Sequence, residues 1–201
     1  MTSSSTLRAS DYIRPESETL LSDDWARLTK YTFEYRRADG AWQRLVRQSY
    51  DRGNGAGCLL YNPAAGTVLL VRQFRLPAYL LGEPGFLIEV PAGLLDGEAP
   101  EARMIEELSE ETGYEISGLE LACEAFMSPG SVTEKLSLFL GTYSEANKKA
   151  AGGGKIEEGE DIEVLHIALD QAMEMISSGD IQDGKTILLL QHLKLKLLQD
   201  R

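Results

Sequence analysis

Four glutamates fall within six residues of one predicted helix, and this acidic run limits the fold more than any other feature of the chain. The spacing of apolar and acidic residues predicts a helix over 99–112, which Gly113 ends. Glu107, Glu110 and Glu111 then share one helix face. Like charges at this spacing destabilise a helix, whereas a divalent cation bound to the carboxylates removes that cost. The face is therefore either a metal site or a solvated surface.

Short apolar runs between turn residues predict strands on both sides of this helix. Several of them follow one another in hairpin order, so we expect an α+β fold with a mixed rather than a parallel sheet. A Gly-, Ala-, Lys- and Glu-rich loop is expected at 145–161. The other predicted elements are strands at 57–63, 67–75, 86–93, 119–127, 135–144 and 162–169, and helices at 169–179 and 185–199.

The N-terminal quarter of the chain differs in composition from the rest. Residues 1–18 are rich in Ser and Thr and are predicted to form a flexible tail. Within 19–50, β-forming residues on both sides of Asp39-Gly40 predict a hairpin. An isolated hairpin is marginal in water, so this one needs a surface to pack on, either in its own chain or in a second subunit. Residues 51–201 form the predicted main domain.

Composition and charge exclude several classes of protein. The 201 residues carry a formal net charge of -12, which argues against broad binding of nucleic acids or anionic membranes. A phosphate ligand stays compatible with this charge, because metal ions can reverse the local field of an acidic cleft. Neither a transmembrane run nor a secretory signal is visible, and two cysteines in apolar stretches suggest buried thiols rather than a disulfide. A cytoplasmic protein is expected.

The segment from Gly93 to Tyr114 resembles the Nudix box, the loop–helix–loop signature of enzymes that hydrolyse nucleoside diphosphates linked to another group. Residues 107–114 (ELSEETGY) match the second half of that signature at every fixed position. The first half departs from it twice: four residues instead of five separate Gly93 from Glu98, and Glu106 occupies the position of the family's Arg. Arg103, four residues before Glu107, could replace that Arg in part.

Further motifs extend the resemblance over most of residues 25–190. They follow the order of the ADP-ribose and GDP-mannose pyrophosphatase branch of the Nudix hydrolases, and their combination is closer to the GDP-mannose members. This resemblance implies an α/β/α sandwich, and N-terminal antiparallel strands that serve in dimerisation. The motifs are SYDRGNGAG (49–57), VRQFR (71–75), EVPAGLLD (89–96), MSPGSVTE (127–134), GGGKIEEGEDIEV (152–164) and DGKT (183–186).

The resemblance also implies a set of metal ligands and a general base. The metal would be Mg²⁺, with Mn²⁺ as a substitute, and Glu160 would be the base with Glu158 as runner-up. Glu111 would act in catalysis through the metal. The implied metal ligands are the carbonyl oxygen of Ala92 and the side chains of Glu107, Glu110, Glu111 and Glu160.

Substrate contacts are implied in two places. Arg75 and Lys185 would meet the phosphates. Trp25 would stack on the nucleobase, with a tryptophan in the core of the hairpin as the equally weighted alternative. The full implied set of substrate-binding residues is Trp25, Arg47, Gln48, Arg75, Glu134 and Lys185.

Three functions remain open at this point. The favoured one is hydrolysis of GDP-mannose to GMP and mannose 1-phosphate by a homodimer. ADP-ribose, giving AMP and ribose 5-phosphate, is the alternative substrate. A non-catalytic Nudix domain that senses a nucleotide sugar is the alternative from another class.

Overall fold

The structure is a computed structural model that describes residues 8–199, without the side chain of Glu158. The chain divides into two compact units. The first unit runs to Arg52 and includes Ser128–Glu134, and the second holds Gly53–Met127 and the chain from Lys135 onward. The division falls next to the predicted boundary at residue 51, and residues 128–134 of the MSPGSVTE segment belong to the first unit.

The first unit is built on an antiparallel sheet of three strands, β1 (Ile13–Asp23), β2 (Arg27–Arg36) and β3 (Trp42–Asp51). The predicted hairpin is confirmed, because β2 pairs with β3 and Asp39-Gly40 lies in the turn between them. The predicted tail over 1–18 was too long. Strand β1 begins at Ile13, and its residues are mostly polar and exposed. The sequence pattern therefore did not indicate a strand, because the backbone hydrogen bonds that form it do not require an apolar face. The first seven residues of that predicted tail lie outside the described part.

The second unit contains a mixed sheet, as predicted. Its main strand order is β10-β5-β4-β9-β8, with β6 paired to β5 and β7 paired to β4. Strands β4 and β9 run parallel, and the other pairs are antiparallel. The strands are β4 (Gly55–Asn62), β5 (Thr67–Phe74), β6 (Phe86–Glu89), β7 (Ala92–Leu94), β8 (Glu120–Phe126), β9 (Lys135–Thr142) and β10 (Glu163–Ala168).

Helices cover both faces of this sheet, which gives the expected α/β/α sandwich. Side chains alternate along β4, so Leu59 packs in the core cluster of α3 and α4, whereas Leu60 packs in the cluster of α2. The sequence predicted three of the helices but not the short α1. This helix contains Pro77 and buries no residue, so its sequence resembles a loop. The helices are α1 (Leu76–Leu80), α2 (Pro100–Thr112), α3 (Leu169–Ser178) and α4 (Gly184–Gln199).

The predicted loop over 145–161 folds back onto the end of α2. Gly113 ends the helix with φ 76°, and its carbonyl accepts a hydrogen bond of 2.8 Å from the backbone nitrogen of Lys149. The backbone nitrogen of Gly153 donates to the carbonyl of Glu111 at 2.8 Å. Gly152, Gly153 and Gly154 all have positive φ, which explains the run of three glycines. The loop therefore carries its acidic residues to the acidic face of α2.

Candidate active site

One face of helix α2 packs on the sheet, and another face carries the carboxylates. Met104 and Leu108 are fully buried against the sheet, so they fix the rotation of the helix. Glu107 and Glu111 are also buried, although both are acidic. Buried carboxylates are rare unless they are paired or bound to a metal. The rotation that packs Met104 and Leu108 therefore produces a site rather than a solvated surface.

Arg103 contacts Glu107, and its role in place of the signature Arg stays a prediction. Its Nη2 lies 2.5 Å from Oε1 of Glu107, its Nη1 lies 3.3 Å from Oε2 of Glu106, and its Nε donates to the carbonyl of Leu94 at 3.2 Å. Burial raises the pKa of Glu107, and the charge of Arg103 offsets only part of that effect. Glu106 is largely exposed and stays outside the carboxylate pair.

Glycine at position 93 makes room for the carboxylate of Glu107. A Cβ atom at Gly93 would lie 2.1 Å from Oε1 of Glu107, which is well inside van der Waals contact. Strand β7, which holds Ala92 and Gly93, therefore packs closely against α2 at Gly93. The proposed carbonyl ligand and the proposed side-chain ligand come from adjacent elements.

Glu111 has the most unusual environment of the four glutamates at 106–111. Its Oε2 is buried and has no hydrogen-bond partner among the described residues. Burial raises its pKa well above the ordinary value, and the negative charges of Glu107 and Glu160 raise it further. A buried carboxylate oxygen without a partner costs free energy unless a ligand satisfies it.

Residues of the 145–161 loop complete the acidic cluster. Nζ of Lys155 lies 2.8 Å from Oε2 of Glu110, and the backbone nitrogen of Lys155 donates to Oε2 of Glu160 at 2.8 Å. Gly154 allows this approach, because a Cβ there would lie 2.4 Å from Oε2 of Glu160. Glu158, the runner-up as base, has a side chain outside the described part.

These residues fit a divalent cation by their donor chemistry. Carboxylate oxygens are the ligands that Mg²⁺ prefers, Oε2 of Glu111 lacks a partner within residues 8–199, and glycine at position 93 accommodates the carboxylate of Glu107. In the arrangement described, no three acidic, His or Cys side chains of those residues converge in metal-binding geometry. Arg103 and Lys155 neutralise Glu107 and Glu110 instead, so an entering cation would compete with two side-chain cations.

The two predicted phosphate-binding cations meet on one buried carboxylate that the sequence reading missed. Arg75 donates to Glu89 through Nε at 2.8 Å and Nη2 at 3.0 Å, and Nζ of Lys185 donates to Oε2 of Glu89 at 2.6 Å. Arg75 also lies close enough to Glu111 for each charge to shift the pKa of the other. The acidic residue inside the apolar run FLIEVP was the available signal for Glu89.

The remaining predicted substrate residues lie in the first unit. Trp25 is 70% exposed, with the guanidinium of Arg52 at 5.6 Å from its ring centre. Glu134 forms an ion pair with Nε of Arg52 at 2.9 Å. Arg47 and Gln48 are exposed on β3, and Arg47 donates to the carbonyl of Val46 at 2.8 Å. Trp25 and Glu134 therefore share a contact with Arg52, which the sequence reading did not single out.

A mixed sheet between helix layers, with a buried pair of glutamates on the helix that follows β7, defines a Nudix-type hydrolase domain. The family model for the NUDIX domain matches residues 51–150, and the model for the GDP-mannose pyrophosphatase NudK N-terminal domain matches residues 12–50. A crystal structure of an ADP compounds hydrolase has the same fold, with a TM-score of 0.70, 16% identity, and coverage of 94% of this chain and 96% of that one.

Similarity to individual proteins extends over nearly the whole chain. A GDP-mannose pyrophosphatase of Pectobacterium atrosepticum is 51% identical, covering 86% of this chain and 89% of the relative. A GDP-mannose pyrophosphatase of Escherichia coli O1:K1 is 47% identical, covering 91% of this chain and 95% of the relative. The chain therefore belongs to the Nudix hydrolase family, in the branch that contains these relatives, and it is a pyrophosphatase-type hydrolase. The described residues contain no helix long and apolar enough to cross a membrane.

Proposed function

We propose that this chain hydrolyses the pyrophosphate bond of a nucleoside diphosphate sugar, and that GDP-mannose is the substrate, cleaved to GMP and mannose 1-phosphate. The relatives at 47–51% identity carry the name GDP-mannose pyrophosphatase. The observation that supports hydrolysis most strongly is the buried, partnerless oxygen of Glu111 within the electrostatic reach of Arg75. One site thus combines an acidic face for a cation with a basic group for a phosphate.

Mg²⁺, or Mn²⁺ in its place, would be held by Glu107, Glu110, Glu111, Glu160 and the carbonyl oxygen of Ala92. When bound, the metal supplies charge neutralisation and lowers the pKa of a coordinated water. Arg103 would orient Glu107 through its contact of 2.5 Å and favour the ionised form of that carboxylate. Binding a divalent cation would offset the burial and the repulsion between carboxylates, which together raise the pKa values of Glu107 and Glu111.

Glu160 is the proposed general base, with Glu158 as the alternative. Glu160 is half-buried, and its Oε2 already accepts a hydrogen bond from the backbone of Lys155, which orients the carboxylate. A base must lie near the attacked phosphorus and face the water from which it takes the proton. Arg75 and Lys185 would bind the phosphate oxygens and stabilise the charge that the leaving phosphate develops.

Trp25, Arg47, Gln48 and Glu134 remain proposed contacts to the base and sugar. Trp25 is exposed and therefore available for stacking on a purine. A homodimer is the proposed state, because the first unit exposes apolar side chains that a second copy could cover, among them Leu20, Leu21 and Val46. The cytoplasm is the proposed location.

A hydrolysis panel tests the proposal. The purified chain is incubated with Mg²⁺ and, separately, with GDP-mannose, ADP-ribose, ADP-glucose and UDP-glucose, and the products are identified by chromatography. We expect GMP and mannose 1-phosphate to form fastest. Preferential cleavage of ADP-ribose would replace the substrate and keep the reaction. Binding of GDP-mannose without cleavage would contradict the enzymatic proposal in favour of a sensor.

A further inference from the structure

Glu89, the last residue of β6, is a buried carboxylate that binds two cations at once. Only 3% of its side chain is exposed, and both of its oxygens are used. Oε1 accepts from Nε of Arg75 at 2.8 Å, while Oε2 accepts from Nη2 of Arg75 at 3.0 Å and from Nζ of Lys185 at 2.6 Å. The bidentate contact fixes the plane of the guanidinium as well as its distance.

A second set of contacts holds Lys185 and ties α4 to the strand. Lys185 also donates to Oδ1 of Asp183 at 3.0 Å. Oδ2 of Asp183 accepts from the hydroxyl of Thr186 at 2.6 Å, and that hydroxyl in turn accepts from the backbone nitrogen of Val90 at 2.7 Å. The start of α4 is thus joined to the residue that follows Glu89. The ammonium group of Lys185 cannot move away from Glu89 without breaking its hydrogen bonds to Glu89 and Asp183.

The contacts to Glu89 and Asp183 leave at least one donor of each cation unused, although the side chain of Lys185 is only 11% exposed. Arg75 uses two of its three guanidinium nitrogens for Glu89, and 40% of its side chain is exposed. Lys185 uses two of its three ammonium protons for Glu89 and Asp183. A diphosphate needs two donors at a defined spacing, one for each phosphate or two on one phosphate.

We propose that Glu89 is a positioning residue for the reaction: it holds Arg75 and Lys185 side by side so that both can bind the diphosphate of the substrate. Glu89 does not touch the substrate itself. This inference rests on the proposed function, because it takes the ligand of the two cations to be a nucleoside diphosphate.

A purely electrostatic role for Glu89 predicts an effect of opposite sign. Arg75 and Lys185 carry two positive charges, and Glu89 and Asp183 carry two negative ones, so the cluster is neutral. Removing the charge of Glu89 leaves a net positive cluster, which would attract a diphosphate more strongly. Removing a positioning group instead frees both cations to move, which weakens binding. The direction of the change in affinity therefore separates the two roles.

The experiment compares Glu89→Gln and Glu89→Asp with the wild type and with Glu163→Gln. Glu163 serves as the matched control because it also forms an ion pair with an arginine of the same sheet. Its carboxylate contacts Arg72 at 3.2 Å, but its side chain is 58% exposed. Aspartate keeps the charge but is one methylene shorter, so it cannot reach both cations as Glu89 does. The readouts are kcat and KM for GDP-mannose, the Kd of GDP by calorimetry, and Mn²⁺ affinity by electron paramagnetic resonance.

Positioning predicts that both Glu89 variants raise the Kd of GDP and the KM by about 10- to 100-fold, with Mn²⁺ affinity unchanged and Glu163→Gln like the wild type. Unchanged or tighter GDP binding in folded Glu89→Asp would overturn the inference while the wild type still cleaves its substrate. If Glu89→Gln does not fold, Glu89→Asp alone carries the test. A wild type that neither binds GDP nor cleaves a nucleotide sugar would overturn the proposed function itself.

Discussion

Arg103 contacts the carboxylate that the Arg of the Nudix signature is expected to support. Glu106 stands where an Arg would be expected in the Nudix signature, and its side chain is largely exposed. Arg103 lies one helical turn before Glu107 and reaches both the carboxylate of Glu107 and the carbonyl of Leu94. Residues four apart on a helix share a face, so an arginine at position 103 reaches the carboxylate of Glu107, although it lies three positions before the signature Arg.

Replacing Arg103 by Ala should lower both metal affinity and turnover. Without the guanidinium, burial favours the protonated form of Glu107 and the carboxylate loses its fixed orientation. We expect a loss of about 10- to 100-fold in Mn²⁺ affinity and kcat/KM. Glu106→Gln, which removes the adjacent exposed charge, serves as the control and should change either quantity by less than about threefold. Unchanged metal binding and turnover in Arg103→Ala would remove the supporting role.

Glu89 should make stability depend on pH in the acid range. Burial alone would raise its pKa, but the hydrogen bonds and charges of Arg75 and Lys185 outweigh burial and lower the pKa to about 2. A lowered pKa contributes stability above the unfolded value of 4.5, and that stability is lost as the pH falls through the folded value of about 2. The full contribution is about 3 kcal/mol.

We therefore expect Glu89→Gln to be less stable than the wild type by about 3 kcal/mol at pH 7, with the difference shrinking below pH 4.5. Urea unfolding at pH 7, 5 and 3.5 measures this directly. Glu163→Gln is again the matched control, because its ion pair is exposed and should contribute at most about 1 kcal/mol. A stability difference that stays constant over this range would show that the charge of Glu89 is not what stabilises the cluster.

At the scale of elements, the site depends on how closely β7 approaches α2. Glycine at position 93 allows this approach, because a Cβ would lie 2.1 Å from Oε1 of Glu107. Gly113 and Gly154 play similar parts where the 145–161 loop meets the end of α2 and Glu160. These glycines thus leave room for the side chains of Glu107 and Glu160 and for the backbone of the loop.

The substitution Gly93→Ala should displace Glu107 and lower activity while the fold persists. We expect kcat/KM to fall by at least about 100-fold, since a small displacement of a catalytic group has an effect of that order. Gly118→Ala is the matched control, because a Cβ at Gly118 meets nothing within 4 Å and its φ is ordinary. Circular dichroism and steady-state kinetics measure the two effects. A Gly93→Ala variant with wild-type kinetics would contradict the close approach of the two elements.

Elements with strong local signals were predictable, and those without them were not. Helix α2 could be predicted because the spacing of its apolar residues and the helix-ending Gly113 are both visible within a short stretch of sequence. The hairpin of β2 and β3 could be predicted because Asp39-Gly40 is a turn signal. Strand β1 was missed, since it is polar and gains its hydrogen bonds from β2. The Glu89 cluster was missed for a related reason. Glu89 and Lys185 are 96 residues apart, so their contact is created by the tertiary fold.

At the scale of the whole molecule, the first unit raises the question of assembly. Among its described residues, Ala26 and Thr32 are the buried ones, whereas Leu20, Leu21, Trp25, Tyr35 and Val46 are exposed. A small sheet needs a hydrophobic face packed on another surface to be stable. A second copy of the chain would supply such a surface.

We expect the chain to be a homodimer in solution. Light scattering coupled to size exclusion should give twice the chain mass of 22.2 kDa. Val46→Lys, which places a charge on an exposed apolar position of β3, should shift the equilibrium toward the monomer, whereas Gln43→Lys on the same strand serves as a control for the added charge. A wild-type particle of 22.2 kDa at micromolar concentration would contradict the dimer.

The most direct test of the proposed mechanism is the Mg²⁺ dependence of GDP-mannose hydrolysis in wild type and Glu111→Gln, measured side by side. Glutamine keeps the shape of Glu111 but removes the charge from its buried, partnerless oxygen. We predict Mg²⁺-dependent release of GMP by the wild type, at least about 100-fold slower turnover in Glu111→Gln, and unchanged turnover in Glu115→Gln, an exposed control outside α2. Equal turnover in wild type and Glu111→Gln, or hydrolysis that does not respond to Mg²⁺, would contradict a metal-dependent role for the acidic face of α2.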